Sequence, residues 1–356
     1  MDAQAVILVG GQGTRLRPLT LARPKPIVPL LNRPFLHYQL ALLRQHGVTD
    51  IILSCSHRVD DIRAALGSGA DAGVRLRYVA ESEPLGTAGG VRNAADLASG
   101  RLVVLNGDIL TDADVGAVLR FHEARGSRTT IGLTPVDDPT QYGLVEADAR
   151  GAIRRFLEKP KPHEITTNMV NAGVYVIEAE LLRRIPADRP VSIEREFFPA
   201  LLADGVPCFG VPLGGYWRDI GSPSAYREAQ LDLLRGRVAT QVTPAGTLRD
   251  GCWIGAGARI DAGAVLRGPA VIGTDVRVQA GARLGPLTVI GDDARIARGA
   301  RIEGAILWER VEVGEGAVLR DCIVGAHAVI GAHVDAAPGV VLEAGAVVPD
   351  HTRLGR

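Results

Sequence analysis

Several residue groups in the first 220 positions have the types and spacings needed to handle phosphate-bearing ligands. Gly10-Gly11-Gln12-Gly13-Thr14-Arg15 directly follows an apolar run. Glycines let backbone N–H groups crowd around an anion, and Arg15 adds a charge-assisted, bidentate phosphate contact. Ten residues beyond Arg15, Pro24 and Pro26 flank Lys25 and restrict its backbone, which would aim the ammonium at the same phosphates. The spacing is G-G-x-G, not the G-x-G-x-x-G of a dinucleotide fingerprint, and no Gly-Lys-Ser/Thr of a P-loop follows. Further on stand Asn106-Gly107-Asp108, Glu158-Lys159-Pro160 and Trp217-Arg218-Asp219. Taken singly, Asp108 and Asp219 read as turn carboxylates and Glu158-Lys159 as an exposed charged turn.

The elements between these groups show what must position them. Ala5–Val9, Ile51–Ser54, Leu76–Ala80 and Leu102–Leu105 are short runs rich in branched residues and read as strands. Phe35–Gln45, Asp60–Leu66 and Ala88–Leu97 read as helices between them. Such alternation predicts an α/β fold with a mostly parallel sheet covered on both faces. Ligands of such sheets bind at the carboxyl ends of the strands, which is where these residues fall.

After about residue 250 the pattern changes. Aliphatic residues recur every six positions from Ile254 through Ile260, Leu266, Ile272, Val278, Leu284, Ile290 and Ile296 to Ile302. The register breaks near Trp308, resumes at Val313 and Leu319, then breaks again and resumes at Val324 and Ile330. A six-residue period with aliphatic-Gly pairs is the hexapeptide pattern of a parallel β-helix, in which each flat side needs one inward aliphatic residue. The expected organisation is a domain over 1–235, a linker over 236–250 containing Pro244 and Gly246, and a left-handed β-helix over 251–356.

GGQGTRLRPLT followed by RPKPIVPLLNRP resembles the sugar-1-phosphate nucleotidyltransferases, also called NDP-sugar pyrophosphorylases. EPLGTAGG (83–90), LNGDIL (105–110), QYGLVE (141–146), FLEKP (156–160), NAGVY (171–175), SIEREFFP (192–199) and YWRDIG (216–221) follow in the family's order. The branch most similar is mannose-1-phosphate guanylyltransferase. The resemblance implies a Rossmann-like mixed, mostly parallel nucleotidyltransferase domain, the β-helix behind it, and transfer of a nucleotidyl group from a triphosphate to a sugar 1-phosphate with release of pyrophosphate. It also implies Mg2+ as cofactor, held by Asp108 and Asp219.

Carried over residue by residue, the resemblance assigns Arg15, Lys25, Asp108, Lys159 and Asp219 to catalysis. Leu8, Gly10, Gly11, Gly13, Thr14, Glu81, Pro84, Gly86 and Thr87 join Arg15, Lys25 and Asp108 around the nucleotide. Asn106, Tyr142, Gly143, Glu158, Lys159, Asn171, Glu194 and Asp219 fall to the sugar phosphate. For Glu194 and Glu196 a pocket wall and a solvated helix face weigh equally. Thymidylyl and uridylyl relatives tend to carry Gln where this chain has Glu81. Guanine offers adjacent N1–H and N2–H donors, which suit a carboxylate that only accepts, so Glu81 tilts the choice toward GTP.

The remaining features bound the reading. Lys plus Arg and Asp plus Glu number 40 each, so nothing marks a general polyanion binder, and no nucleic-acid partner is expected. No apolar run has the length of a membrane span, no signal peptide is read, and four scattered cysteines fit a reducing cytoplasm. His37, His46, His57 and His122 have no metal-ligand spacing, and His327 and His333 read as equivalent surface positions rather than an acyltransfer centre. Flat β-helix faces predict a homo-oligomer. The competing readings are the same reaction with dTTP or UTP and glucose 1-phosphate, or GTP with a heptose phosphate, and a non-catalytic regulatory or scaffold homologue.

Overall fold

The computed structural model describes residues 3–355. Its contacts divide the chain into two compact units: residues up to Gln12 with Leu36–Asp219, and Gly13–Phe35 with Ile220–Arg356.

In chain order the first unit contains β1 (Ala3–Leu8), α1 (Leu36–Gln45), β2 (Asp50–Cys55), α2 (Val59–Leu66), β3 (Arg75–Ala80), α3 (Gly86–Asn93), β4 (Arg101–Asn106) and β5 (Ile109–Thr111). There follow α4 (Val115–Ala124), β6 (Thr129–Pro135), β7 (Gly143–Ala147), β8 (Ile153–Glu158), β9 (Met169–Glu178), α5 (Phe198–Ala203), β10 (Cys208–Pro212) and β11 (Trp217–Asp219). Nine strands form one sheet in the order β8-β7-β9-β4-β1-β2-β3, with β6 on β9 and β10 on β6. The β4-β1-β2-β3 part is parallel and β9 runs antiparallel to β4. The expected strands and helices are therefore present with ends shifted by at most four residues. Strands β1, β2 and β4 are largely apolar because both faces are covered, as Val6, Ile52, Val104 and Ile7 show by their complete burial, whereas the edge strand β3 carries Arg75 and Arg77.

Strand β1 lies between β2 and β4, so the chain leaves it toward one neighbour and returns to the other. Leu8 pairs with Ser54 on one side and Asn106 on the other. The carboxyl end of β1 is thus the topological switch point at which open α/β sheets bind ligands.

In the second unit three parallel sheets stack into the expected left-handed β-helix. Ile272, Val278, Leu284, Ile290, Ile296 and Ile302 all point inward and are buried. Ile272 pairs with Ile290, eighteen positions on, whereas Ile290 pairs with Leu307 and Leu307 with Val324, seventeen on. The register break lies in the corners at Glu303–Ala305 and Arg320–Cys322, each one residue short. Leu307 rather than Trp308 therefore points inward. The pattern also continues past Ile330 through Ala336, Leu342, Val348 and Leu354. Thr247–Arg249, inside the expected linker, pairs antiparallel with Cys252–Ile254.

One outer face of the β-helix is apolar. Val271, Val289, Ile306 and Ile323 are at most 2% exposed there. Helix α6 (Pro223–Leu234) and the 13–35 segment lie on this face. Trp308 Nε1 donates to Tyr226 Oη at 3.0 Å, Asn32 Nδ2 to the Ile290 carbonyl at 2.7 Å, and Arg227 to the Gly304 carbonyl at 3.2 Å. Ser222 caps α6 by accepting from Ala225 N–H, with Pro223 at the first helical position.

Candidate active site

The end of β1 gathers polar groups of the first unit. Val9 N–H donates to the Ser54 carbonyl at 2.9 Å and Gly11 N–H to Ser56 Oγ at 2.9 Å. Glu81, just after β3, accepts from Ser54 Oγ at 3.3 Å and from Leu85 N–H at 3.2 Å. Its carboxylate therefore holds the 84–87 loop while lying beside Gly10 and Gly90. Leu8, Gly10, Gly11 and Glu81 therefore lie at this strand end, and Glu81 ties to it the segment that carries Pro84 and Gly86.

The rest of the glycine motif packs in the second unit. Thr20 Oγ1 donates to the Gly13 carbonyl at 2.8 Å, and a Cβ on Gly13 would lie 3.3 Å from Lys25 Cβ. Thr14–Leu16 and Lys25–Ile27 are short 3-10 turns, the latter preceded by Pro24 and carrying Pro26 at its start. Gly13, Thr14, Arg15 and Lys25 are accordingly neighbours in one local structure, with Arg15 exposed and Lys25 half-buried.

Asp108 lies in the turn between β4 and β5. Strand β11 pairs antiparallel with β5, with Asp219 opposite Ile109 and Trp217 opposite Thr111. The two carboxylates expected to act together thus sit on adjacent backbones, one residue off register, although 111 positions apart in sequence. Gly107 allows this turn: a Cβ there would stand 2.4 Å from the Leu8 carbonyl oxygen, to which Gly107 N–H donates at 2.9 Å. No group of three or more His, Cys, Asp or Glu that could hold a metal occurs among the described residues.

The candidate sugar side is built on β7, β8 and β9. Glu158 pairs with Gly143 across β8 and β7, and Lys159 N–H donates to the Tyr142 carbonyl at 2.9 Å. Lys159 adopts φ 52°, an uncommon left-handed conformation for a side-chain-bearing residue. In β9 the register shifts between Asn171 and Tyr175. Asn171 Nδ2 donates to Tyr175 Oη at 2.8 Å and Gly173 N–H to Asn171 Oδ1 at 2.9 Å. Tyr142 meets Trp217 edge to face at 5.6 Å, and Trp217 Nε1 donates to the Ala172 carbonyl at 2.8 Å.

Glu194 lies in a π-helical turn, Ile193–Phe197, rather than on a solvated α-helix. It accepts from Thr87 Oγ1 and Ser192 Oγ, both at 2.8 Å. Thr87, in the first turn of α3, therefore braces the 192–197 segment. Glu196 is bound to Arg189 at 2.6 Å and to Ser192 N–H, so it caps the segment. Burial first, then the nearby Glu194 charge, hold the Glu158 carboxyl above its ordinary range.

One buried side chain was not signalled by any motif. Gln39, on the apolar side of α1 and 2% exposed, donates through Nε2 to the carbonyls of both Asn106 and Ile109 at 2.8 Å. A lone Gln in a helix reads as a solvated position, and only the fold reveals this contact.

Comparison with known proteins adds the family. A nucleotidyl transferase family model matches residues 4–236, and a GMPPB C-terminal domain model matches 266–355. A mannose-1-phosphate guanylyltransferase of Mycobacterium tuberculosis is 40% identical over 276 residues, covering 74% of this chain and 75% of that protein. A mannose-1-phosphate guanylyltransferase catalytic subunit beta of Drosophila pseudoobscura pseudoobscura is 38% identical over 270 residues, covering 70% and 72%. The fold matches a crystal structure of a putative glucose-1-phosphate thymidylyltransferase from Bacillus anthracis with TM-score 0.61 at 23% identity, over 68% of this chain and 98% of that one. The chain therefore belongs to the nucleotidyl transferase family of enzymes, alongside relatives named mannose-1-phosphate guanylyltransferase.

Proposed function

We propose that this enzyme transfers GMP from GTP to mannose 1-phosphate, giving GDP-mannose and pyrophosphate. The observation that supports the mechanism is the pairing of β5 with β11, in which Asp219 stands opposite Ile109, the residue after Asp108. Sequence similarity to relatives named for this reaction supports the choice of substrates.

Both reactants are anions, so the residues must offset repulsion and hold the sugar phosphate oxygen in line with the α-phosphorus. By the family resemblance, the glycine motif with Thr14, Arg15 and Lys25 is assigned to the triphosphate. Lys159 holds the sugar phosphate, and Glu158 and Asn171 accept from or donate to sugar hydroxyls beside Tyr142, Gly143 and Asn106. No side-chain nucleophile is required. Enzymes of this family work with a divalent metal, which we take to be Mg2+. A pair of hard carboxylate oxygens suits Mg2+, which binds through one or two protein carboxylates. Asp108 and Asp219 would hold it, and its charge would stabilise the charge developing on the phosphoryl oxygens. We read residues 1–235 and 251–356 as the two functional domains, self-association as a property of the β-helix, and the cytoplasm as the compartment. The four free, buried cysteines fit that last assignment.

The direct test measures pyrophosphate release with Mg2+, four nucleoside triphosphates and a set of sugar 1-phosphates. Release should require both substrates and peak with GTP and mannose 1-phosphate. A different best pair would reassign the pocket, and no release from folded protein would overturn the enzymatic reading. The base contact is tested in the same assay. Glu81→Gln should lower kcat/KM for GTP about tenfold or more relative to dTTP and UTP, the scale of one charge-assisted hydrogen bond. An unchanged ratio removes Glu81 from base selection.

Glu158 also predicts a pH dependence. Its ionised form is the stronger, charge-assisted acceptor for a sugar hydroxyl, so activity falls as pH drops through its raised pKa. Glu194→Gln removes a charge that raises this pKa. The acid limb of kcat/KM for the sugar phosphate should therefore move to lower pH. A limb that stays in place would separate it from Glu158.

A further inference from the structure

We propose that Gln39 is a positioning residue that fixes the Asp108 turn against Asp219 and so sets the enzyme's affinity for its divalent metal. This rests on the reading of Asp108 and Asp219 as the metal ligands.

Helix α1 buries Leu36, Tyr38, Leu40, Ala41, Leu42 and Leu43 alongside Gln39. A Gln in such company costs desolvation free energy that an apolar residue of equal length would avoid. Gln39 Oε1 is itself buried and has no hydrogen-bond partner among the described residues. The side chain is thus poorly satisfied on its own account, and what it provides lies in its amide donors. Both hydrogens of Nε2 are spent on one short piece of backbone: the carbonyl that ends β4, at Asn106, and the carbonyl that begins β5, at Ile109. Asp108 lies between them.

A single planar NH2 group bonded to both carbonyls fixes their separation and direction, and with them the path of Gly107-Asp108. The opposite side of the turn is held by Gly107 N–H on the Leu8 carbonyl. Because Ile109 is also the cross-strand partner of Asp219, holding its carbonyl fixes the backbone that carries Asp108 relative to the backbone that carries Asp219. A two-ligand site has little redundancy. Mg2+ demands near-octahedral geometry at short distances, so displacement of either carboxylate is felt in affinity. Residues that orient ligands change metal affinity by about 10–100-fold when removed. A residue serving packing alone would change thermal stability and leave metal dependence untouched.

The test uses full-length Gln39→Met, which keeps length and apolar fit but has no donor, and Gln39→Asn, too short to reach both carbonyls. Mn2+ binding followed by electron paramagnetic resonance should weaken at least tenfold in each. The Mg2+ concentration giving half-maximal rate should rise by a similar factor, with the KM for GTP at saturating metal within about threefold of the parent. Amide exchange of metal-free protein should quicken in residues 106–109 while the β-helix is unchanged. Mn2+ affinity and Mg2+ midpoint within twofold of the parent in a folded variant would overturn the proposal. If Gln39→Met fails to fold, Gln39→Asn decides by the same criteria. Should both unfold, Gln39 is a stability residue and the proposal fails. Asp108→Asn distinguishes the two levels: full activity and Mn2+ binding in that variant would remove the metal-ligand reading itself, whatever Gln39 does.

Discussion

Asp108→Asn is expected to lower kcat by about 10³-fold while leaving the fold intact, the scale seen when one electrostatic element is removed from a preorganised site. The substitution is nearly isosteric, and the turn that carries residue 108 is held by the Gly107 N–H and by the Gln39 side-chain amide, neither of which uses the Asp108 side chain. Loss of activity would therefore reflect the lost charge. Asp219→Asn should cost a similar amount for the same reason, because β11 is held to β5 through main-chain pairing. The informative variant combines both. Two ligands of one ion act as a unit, so the double variant should be little slower than the worse single one. Effects that multiply would mean the carboxylates act separately. A loss below tenfold in either single variant would rule out a shared metal. Rates at saturating Mg2+ and Mn2+, together with melting temperatures, check all three.

This expectation shows what the amino-acid sequence discloses and what it withholds. Parallel strands buried on both faces must be apolar throughout, so β1, β2 and β4 stand out as branched runs. The β-helix is legible because every coil repeats the same demand for an inward aliphatic residue. Its two irregularities are legible only approximately: a one-residue deletion in a corner shifts everything after it, and Trp308 occupies the slot that the uninterrupted period would assign. The last coil lies within the expected 251–356, but its inward positions after Ile330 are not individually legible, because Ala336 is small and the period there loses contrast. Glu194 was undecidable because an exposed helix and a wall segment use the same residues. Its two hydrogen bonds to Thr87 and Ser192 come from the fold. Gln39 was invisible for a related reason, since its partners are carbonyls 67 and 70 residues away and carbonyls have no sequence. Packing of the 13–35 segment with the β-helix unit was equally hidden. Its anchors, such as Asn32 on the Ile290 carbonyl and the Arg23 pairing with Glu309, join residues more than 250 positions apart.

The second large effect is expected from a residue with no functional group. Gly173→Ala should reduce kcat/KM for the sugar phosphate about 10²-fold, the cost of moving a reacting or binding group by roughly 1 Å. Gly173 has φ 69°, which a Cβ-bearing residue adopts with strain. Its N–H bonds Asn171 Oδ1 inside the irregular part of β9. An added Cβ would meet Nδ2, Cβ and Cγ of Asn106 at 2.8–2.9 Å. Asn106 ends β4 two residues before Asp108, and its Oδ1 is buried with no partner among the described residues. It cannot retreat without disturbing the turn that Gln39 and Gly107 hold. Relief must come from the Asn171–Gly173 bulge, from Asn106, or from both, and each of these belongs to the proposed sugar side. Strain and contact together should also destabilise the protein by about 1–3 kcal/mol. The kinetic loss should nevertheless persist at temperatures well below the melting point. That separation decides the case. If cooling restores parental kcat/KM, Gly173 serves folding alone. If the loss remains in folded protein and falls more on the sugar phosphate than on GTP, the bulge shapes the sugar pocket.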